Sequence, residues 1–293
     1  MLGAIIGDVV GSVYEFNNIK TKDFPLFVKQ SIYTDDTVMT VAVAKALLRS
    51  REEKQDFRTI LIEEMQLFGK QYPNSGYGGM FAQWLTTNNP KPYNSFGNGS
   101  AMRVSPCGLI AVELSEALSL AKASAEVTHN HPEGIKGAQA VAGAIYLAKN
   151  KKTKQEIKDF IELNFYDLDF TLDGIRQNYH FNETCQETVP QAIVAFLEST
   201  DFEDAIRNAV SIGGDSDTVA AITSSIALAY YRNVDWEDLS VVIPSDKSNI
   251  INTVLELLPD DFIQIIDSFN EVCFRRAGTY SRCGFCSPIK HTD

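Results

Sequence analysis

Ser211-Ile212-Gly213-Gly214-Asp215-Ser216-Asp217-Thr218-Val219-Ala220 reads as a loop, a charge pair and the start of a helix. Two glycines free the backbone for a turn. Asp215 and Asp217 follow, Thr218 adds a hydroxyl, and a run of small residues opens a helix. Tyr33-Thr34-Asp35-Asp36-Thr37-Val38 has the same build, with carboxylates and Thr ahead of an Ala/Val-rich helical run. Taken singly, each stretch is an ordinary N-cap, since Asp, Ser and Thr cap helices and acids in the first turn complement the dipole. A cap needs one short polar residue, however, and each stretch carries two carboxylates. Like charges that close raise a pKa or call for a cation. Oxygen-only donors of this kind suit Mg²⁺, Mn²⁺ or Ca²⁺ rather than zinc. The two stretches reinforce each other only if the fold brings them together.

Working outward, helical spacing dominates the chain. Leu2–Phe16 places glycines at 3, 7 and 11, one helical face that permits close backbone approach to another helix, with Glu15 one turn beyond. Helical patterns follow from Asp36 to about Arg51, over Phe57–Gln71, Met80–Leu85, Glu113–Glu126 and Glu133–Lys149, and then Ile157–Leu163 and Pro190–Glu198. Further ones cover Phe202–Val210 after a Ser199/Thr200/Asp201 cap cluster, Thr218–Tyr231, Asn249–Leu258 and Asp260–Glu271. Strand-like alternation is almost absent, loops are short, and no linker separates two cores. The expected fold is a single compact all-α domain, residues 1–293, of about a dozen helices.

Two Gly-rich loops interrupt the helices, one around Tyr77-Gly78-Gly79 and one at Gly97-Asn98-Gly99-Ser100 before Ala101-Met102-Arg103. The second is a turn entering a helix, whose backbone N–H groups can cradle a phosphate; it lacks the Gly-Lys-Ser/Thr ending of a Walker A loop. In Thr128-His129-Asn130-His131-Pro132 the two histidines have no Cys or third His nearby, which points to capping or to a neutral hydrogen bond to a sugar hydroxyl rather than to zinc. Pro132 suits the first turn of the next helix.

The formal charge of −12 argues against a broad grip on nucleic-acid phosphates. The N-terminus has no basic region, Asp8 interrupts its apolar run, and no later run reaches spanning length, so a cytoplasmic protein without a membrane partner is expected. The five cysteines agree with a reducing compartment. Cys107 and Cys185 are isolated, and Cys283-Gly284-Phe285-Cys286, with Cys273 upstream, forms a Cys-containing C-terminal tail over 273–293, read as free thiols or a facultative disulfide.

Gly7-Asp8-x-x-Gly11-x-x-x-Glu15-Phe16, Thr34-Asp35-Asp36-Thr37, Gly97–Arg103, Thr128–Pro132 and Gly213–Thr218, in this order, resemble the ADP-ribosylglycohydrolase family, which includes dinitrogenase reductase-activating glycohydrolases and ADP-ribosyl-acceptor hydrolases. The resemblance covers roughly residues 1–232. It implies an all-helical fold with two divalent cations, Mg²⁺ or Mn²⁺, in a cleft. By motif, Thr34, Asp35, Asp36, Asp215, Asp217 and Thr218 correspond to metal ligands, and Glu15, Asp35 and Asp215 to catalytic carboxylates. Gly97, Asn98, Gly99, Ser100, Ala101 and Met102 correspond to a diphosphate cradle and His129 to a ribose contact, with Tyr77, Gly78 and Gly79 lining the same cleft. The implied reaction is hydrolysis of the bond between ribose C1 of ADP-ribose and an acceptor, expected to be a protein side chain such as arginine or serine. The implied partners are that ADP-ribosylated substrate and ADP-ribose.

Two alternatives stand beside this reading. A catalytically silent member of the same fold would bind metal and ADP-ribose without turnover. Asp215-Ser216-Asp217-Thr218-Val219 also loosely fits the Asp-x-Asp-x-Thr/Val motif of haloacid-dehalogenase-like phosphohydrolases, whose nucleophile ends a β-strand.

Overall fold

The computed structural model describes residues 1–231 and 249–275. These form α1 (Leu2–Gly11), α2 (Asp35–Glu53), α3 (Phe57–Gln71), α4 (Gly79–Thr86), α5 (Gly99–Met102), α6 (Ser105–Ile110) and α7 (Leu114–Glu126). Then come α8 (Pro132–Lys149), α9 (Lys154–Asn164), α10 (Leu172–Ile175), α11 (Cys185–Leu197), α12 (Phe202–Ser211) and α13 (Ser216–Tyr231), with two further helices at Asn249–Leu257 and Asp260–Arg275. Among the described residues there is no strand, only one isolated bridge between Gly97 and Thr184. The all-α expectation holds, and with it goes the phosphohydrolase alternative, because Asp215 precedes a helix instead of ending a strand. Cys283 and Cys286 lie outside the described residues.

Helix α13 is the axis of the molecule. Every side chain from Ser216 to Ala229 is buried, as expected of a helix built from small and apolar residues on all faces. It is packed by α1, α8, α11 and α12. The closest of these contacts is with α1, and the glycine spacing explains it. A Cβ on Gly3 would lie 2.3 Å from the Ser224 carbonyl oxygen, one on Gly7 2.2 Å from that of Ala220, and one on Gly11 2.5 Å from the Asp217 Cα. The Gly face therefore draws the start of α13, with its carboxylates, against the end of α1. Helix α2 packs against α1, α3, α6 and the last described helix, which brings the second acidic helix start to the same end of the bundle.

Two boundaries differ from the sequence reading by five residues each, and two short helices were not foreseen. Helix α1 ends at Gly11, not Phe16, because Asn18 draws the chain away: its amide donates to the carbonyls of Tyr14 (2.7 Å) and Glu15 (2.9 Å). Helix α11 begins at Cys185, five residues before Pro190. Cross-chain bonds hold that early turn, Cys185 N–H to Phe96 O (3.0 Å) and Asn98 N–H to Glu183 O (2.7 Å), and they outweigh the donor that proline lacks. The short helices α6 and α10 have too few turns to leave a periodic signal.

Candidate functional site

The chain reaches Asp215 through two consecutive left-handed residues, Gly213 (φ +71°) and Gly214 (φ +79°). A Cβ on Gly214 would lie 2.3 Å from the Tyr179 ring, so this turn needs glycine for space as well as for backbone freedom. Asn18 grips the turn reciprocally, its amide donating to Gly214 O (2.9 Å) and its side-chain oxygen accepting from Gly214 N–H (2.7 Å). Asp215 then caps α13, its carbonyl accepting from Val219 N–H at 2.9 Å, and Asp217 and Thr218 lie in the first turn.

The partner stretch is set by Asp8, fully buried on α1. One carboxylate oxygen accepts the backbone N–H groups of Thr34 (2.9 Å) and Thr37 (3.1 Å) and the Thr37 hydroxyl; the other accepts the Thr34 hydroxyl at 2.8 Å. Thr34 is the N-cap of α2 and accepts from Asp36 N–H. Thr34 is thus a side-chain cap and Asp215 a cap by its backbone carbonyl alone, and Asp217 Oδ1 accepts Thr218 N–H at 2.9 Å, which leaves the carboxylates of Asp35, Asp36 and Asp215 over. Thr218 Oγ1 donates to Asp36 Oδ1 at 3.2 Å, tying the two helix starts together. The other Asp36 oxygen is buried with no partner.

Both starts face one cleft of about 500 Å³. Its wall contains Glu15, Thr34, Asp35, Asp36, Asp215, Asp217 and Thr218 on one side and Gly97, Asn98, Gly99, Met102 and His129 on another, with Gly78 and Gly79 at the edge. Three predicted substrate residues stand behind the wall. Ala101 is fully buried, Ser100 donates its hydroxyl to Gly134 O (2.7 Å), and Tyr77 packs on the Phe81 ring, 5.7 Å between centroids. The two histidines part company: His131 caps α8 by accepting from Glu133 N–H, while His129 lines the cleft.

The donor set fits a hard divalent cation. Oxygens of Glu15, Asp215 and Asp217 lie within 4.8 Å of one another. Among the described residues, no Lys or Arg forms an ion pair with Glu15, Asp35, Asp36, Asp215 or Asp217. Burial pushes all of these carboxyls up; mutual repulsion comes next at Asp35, Asp36 and Asp217, whereas hydrogen bonds from Thr37 and Thr34 oppose the rise at Asp8 and those of Asp217 and Asn98 oppose it at Asp215. Asp8 and Asp215 rise to about 6, and Asp35, Asp36 and Asp217 well above the ordinary range. Burial with the charges of Asp217, Asp8 and Glu183 lifts Glu15 to about 8. A buried carboxylate group of this density, with an orphaned oxygen, wants positive charge that the described residues do not supply.

A pH dependence follows. Each raised pKa means that the folded metal-free protein holds protons the unfolded chain has released, from the ordinary carboxylate range near 4 up to about 8. Stability of the metal-free protein therefore falls as pH rises through that window. In chelator, the unfolding midpoint is expected to be lower at about pH 8 than at about pH 5, and Mg²⁺ or Mn²⁺ should raise it more at the higher pH. A midpoint that rises with pH and ignores the cation would contradict this account of the cluster.

Asp8, Asn18 and Glu183 were not assigned functional roles from sequence. The signal for Asp8 was present, an acid inside an apolar helical run; Asn18 and Glu183 sit in loops and reach the site through distant partners, Gly214 for Asn18 and Asn98 for Glu183, and nothing local marks them.

A family model described as ADP-ribosylglycohydrolase matches residues 1–234. The chain is similar to ADP-ribosylhydrolase ARH3 of Gallus gallus, 27% identical over 79% of this chain and 84% of that protein. It is also similar to ADP-ribosylarginine hydrolase Tri1 of Pseudomonas putida (strain GB-1), 25% identical over 79% of this chain and 69% of that protein. A solved structure, an "ADP-ribosylglycohydrolase-related protein complex", shares the fold with a TM-score of 0.65 at 22% identity, over 94% of this chain and 96% of that one.

Proposed function

The chain belongs to the ADP-ribosylglycohydrolase family, and from that premise we propose that it is a divalent-metal-dependent hydrolase releasing ADP-ribose from a modified protein side chain. The observation that carries the reading is the convergence of two acidic helix starts, with Glu15 beside them, on a cleft walled by the Gly97–Gly99 loop. Thr34, Asp35, Asp36, Asp215, Asp217 and Thr218 would hold two cations, Mg²⁺ or Mn²⁺. Bound there, such cations orient ribose hydroxyls and lower the pKa of water.

The remaining chemistry belongs to the chain. The first N–H groups of a helical turn have no intrahelical acceptor, which leaves that of Gly99, on the cleft wall, for a diphosphate oxygen. Asn98 holds Asp215 in place, its amide donating to Asp215 Oδ2 at 2.7 Å and its nitrogen also donating to Thr188 Oγ1 at 3.1 Å. Glu15 is the proton-transfer group. Its half-buried carboxyl follows the end of α1 in a turn, free of the hydrogen bonds that fix Asp8 and Asp215, which leaves it able to take up and hand on a proton at the cleft. Water adds to ribose C1 as the bond from C1 to the acceptor atom breaks. Glu15, as a carboxylate, takes a proton from the water and passes it to the departing acceptor atom, so the products are ADP-ribose and the unmodified side chain and Glu15 is returned as a carboxylate.

The test is release of free ADP-ribose from substrates modified on arginine, on serine and on DNA, with Mg²⁺ or Mn²⁺ and with chelator. Metal-dependent release from a modified protein supports the proposal, and the preferred substrate names the linkage. Tight binding of cation and ADP-ribose with no release from any substrate would instead favour the silent binding member. Absence of cation binding would sink both.

A further inference from the structure

Arg103 is 1% exposed, and behind the cleft wall its Nη2 donates to Ser124 O and to Thr128 Oγ1, both at 2.8 Å. Thr128 Oγ1 lies 2.7 Å from His129 Nδ1. The donor count along this line has one solution. A guanidinium has no acceptor, so the Thr128 oxygen must accept from Arg103. Its single hydrogen then goes to His129 Nδ1, the other polar atom beside it. If Nδ1 carried the proton instead, the Thr128 oxygen would accept twice and its own hydrogen would be stranded in a buried site.

At the far side of the ring, Nε2 looks into the cleft across the Gly97–Gly99 loop. A Cβ on Gly99 would lie 3.2 Å from Nε2 and one on Gly97 3.5 Å, so the two glycines keep the space in front of that atom open. We infer that Arg103 and Thr128 are positioning residues that fix His129 as the neutral Nε2–H tautomer, presenting one directed donor to a ligand oxygen bound on the Gly97–Gly99 loop. The assignment of that ligand as ADP-ribose rests on the functional reading above, whereas the tautomer rests on the hydrogen bonds alone. It also gives His129 a binding role and no share in proton transfer, since its only proton is committed to the ligand and Nδ1 is closed by Thr128.

Long-range ¹H–¹⁵N correlation on the intact protein reads the tautomer directly, and with four histidines in the chain a His129→Asn variant assigns the signal. Wild type is expected to show protonated Nε2 and bare Nδ1 with or without ADP-ribose. Thr128→Val should mix the tautomers and weaken ADP-ribose binding about tenfold, the scale of one lost hydrogen bond, with kcat little changed. Thr128→Ser, which keeps the hydroxyl, should restore both. A protonated Nδ1 in wild type overturns the inference. So does a Thr128→Val protein, folded as judged by its amide spectrum, that keeps a pure Nε2–H tautomer and wild-type affinity. The expected tautomer in a protein that neither binds ADP-ribose nor releases it would uphold the relay while removing the functional reading.

Discussion

Asp217→Asn is expected to lower kcat/KM for ADP-ribose release at least about 100-fold and to weaken cation binding with it, since even partners that only support metal ligands cost 10- to 100-fold when altered. Asp217 is the natural point of attack because its charge is the largest repulsion felt by Glu15, Asp35 and Asp36 after burial itself. The substitution keeps the shape, and the amide oxygen can still accept the Thr218 N–H bond, now 2.9 Å. What disappears is one negative charge from the middle of the cluster. With it gone, the neighbouring carboxyls move back toward their ordinary range, so the metal-free variant should lose less stability than wild type between about pH 5 and pH 8. Activity and metal-free stability are thus expected to move in opposite directions. Melting in chelator at about pH 8, set against initial rates with Mg²⁺ or Mn²⁺, checks both. An inactive variant that is also markedly less stable would mean that Asp217 serves the fold, and one with wild-type turnover would remove it from the ligand set.

How much of this could be read from the chain alone depends on the range of each interaction. The Gly3/Gly7/Gly11 face announced a close helix contact, because a glycine's missing Cβ is a local fact; that the partner is α13 became visible only in three dimensions. The two acidic stretches were legible as loop-to-helix junctions, and their ambiguity between cap and ligand was a true one, since the Thr34 side chain caps while the carboxylates of Asp35, Asp36 and Asp215 are left over. Pro190 misled, as a proline is a strong local stop signal, but the bonds that hold Cys185 ahead of it come from Phe96 and Asn98, far back in the chain. Ser100 and Ala101 show the same limit from the other side. Sequence proximity to Asn98 placed them in the loop, and a single turn of α5 then rotates their side chains under the wall.

Asp8→Ala is expected to destabilise the protein by about 3–5 kcal/mol, the scale of leaving several buried donors without an acceptor, and to lower the unfolding midpoint by about 10 °C. The Thr34 and Thr37 N–H groups and both hydroxyls lose their acceptor at once, at a point where Asp8 is fully buried. Asp8→Asn separates the fold from the site. Its amide oxygen can occupy the position that accepts both N–H groups and the Thr37 hydroxyl, but its NH₂ must then face Thr34 Oγ1, which at present donates to Asp8. Thr34 has to turn its hydroxyl proton elsewhere while still receiving Asp36 N–H. The cost to stability should be small, about 1 kcal/mol, yet the oxygen proposed as a cation ligand now carries its hydrogen in a new direction. Cation affinity measured by titration calorimetry is therefore expected to fall about tenfold or more in Asp8→Asn, at near wild-type melting. Wild-type affinity in that variant would show that Asp8 fixes the helix and not the ligand, and an Asp8→Ala protein of native stability would show that it fixes neither.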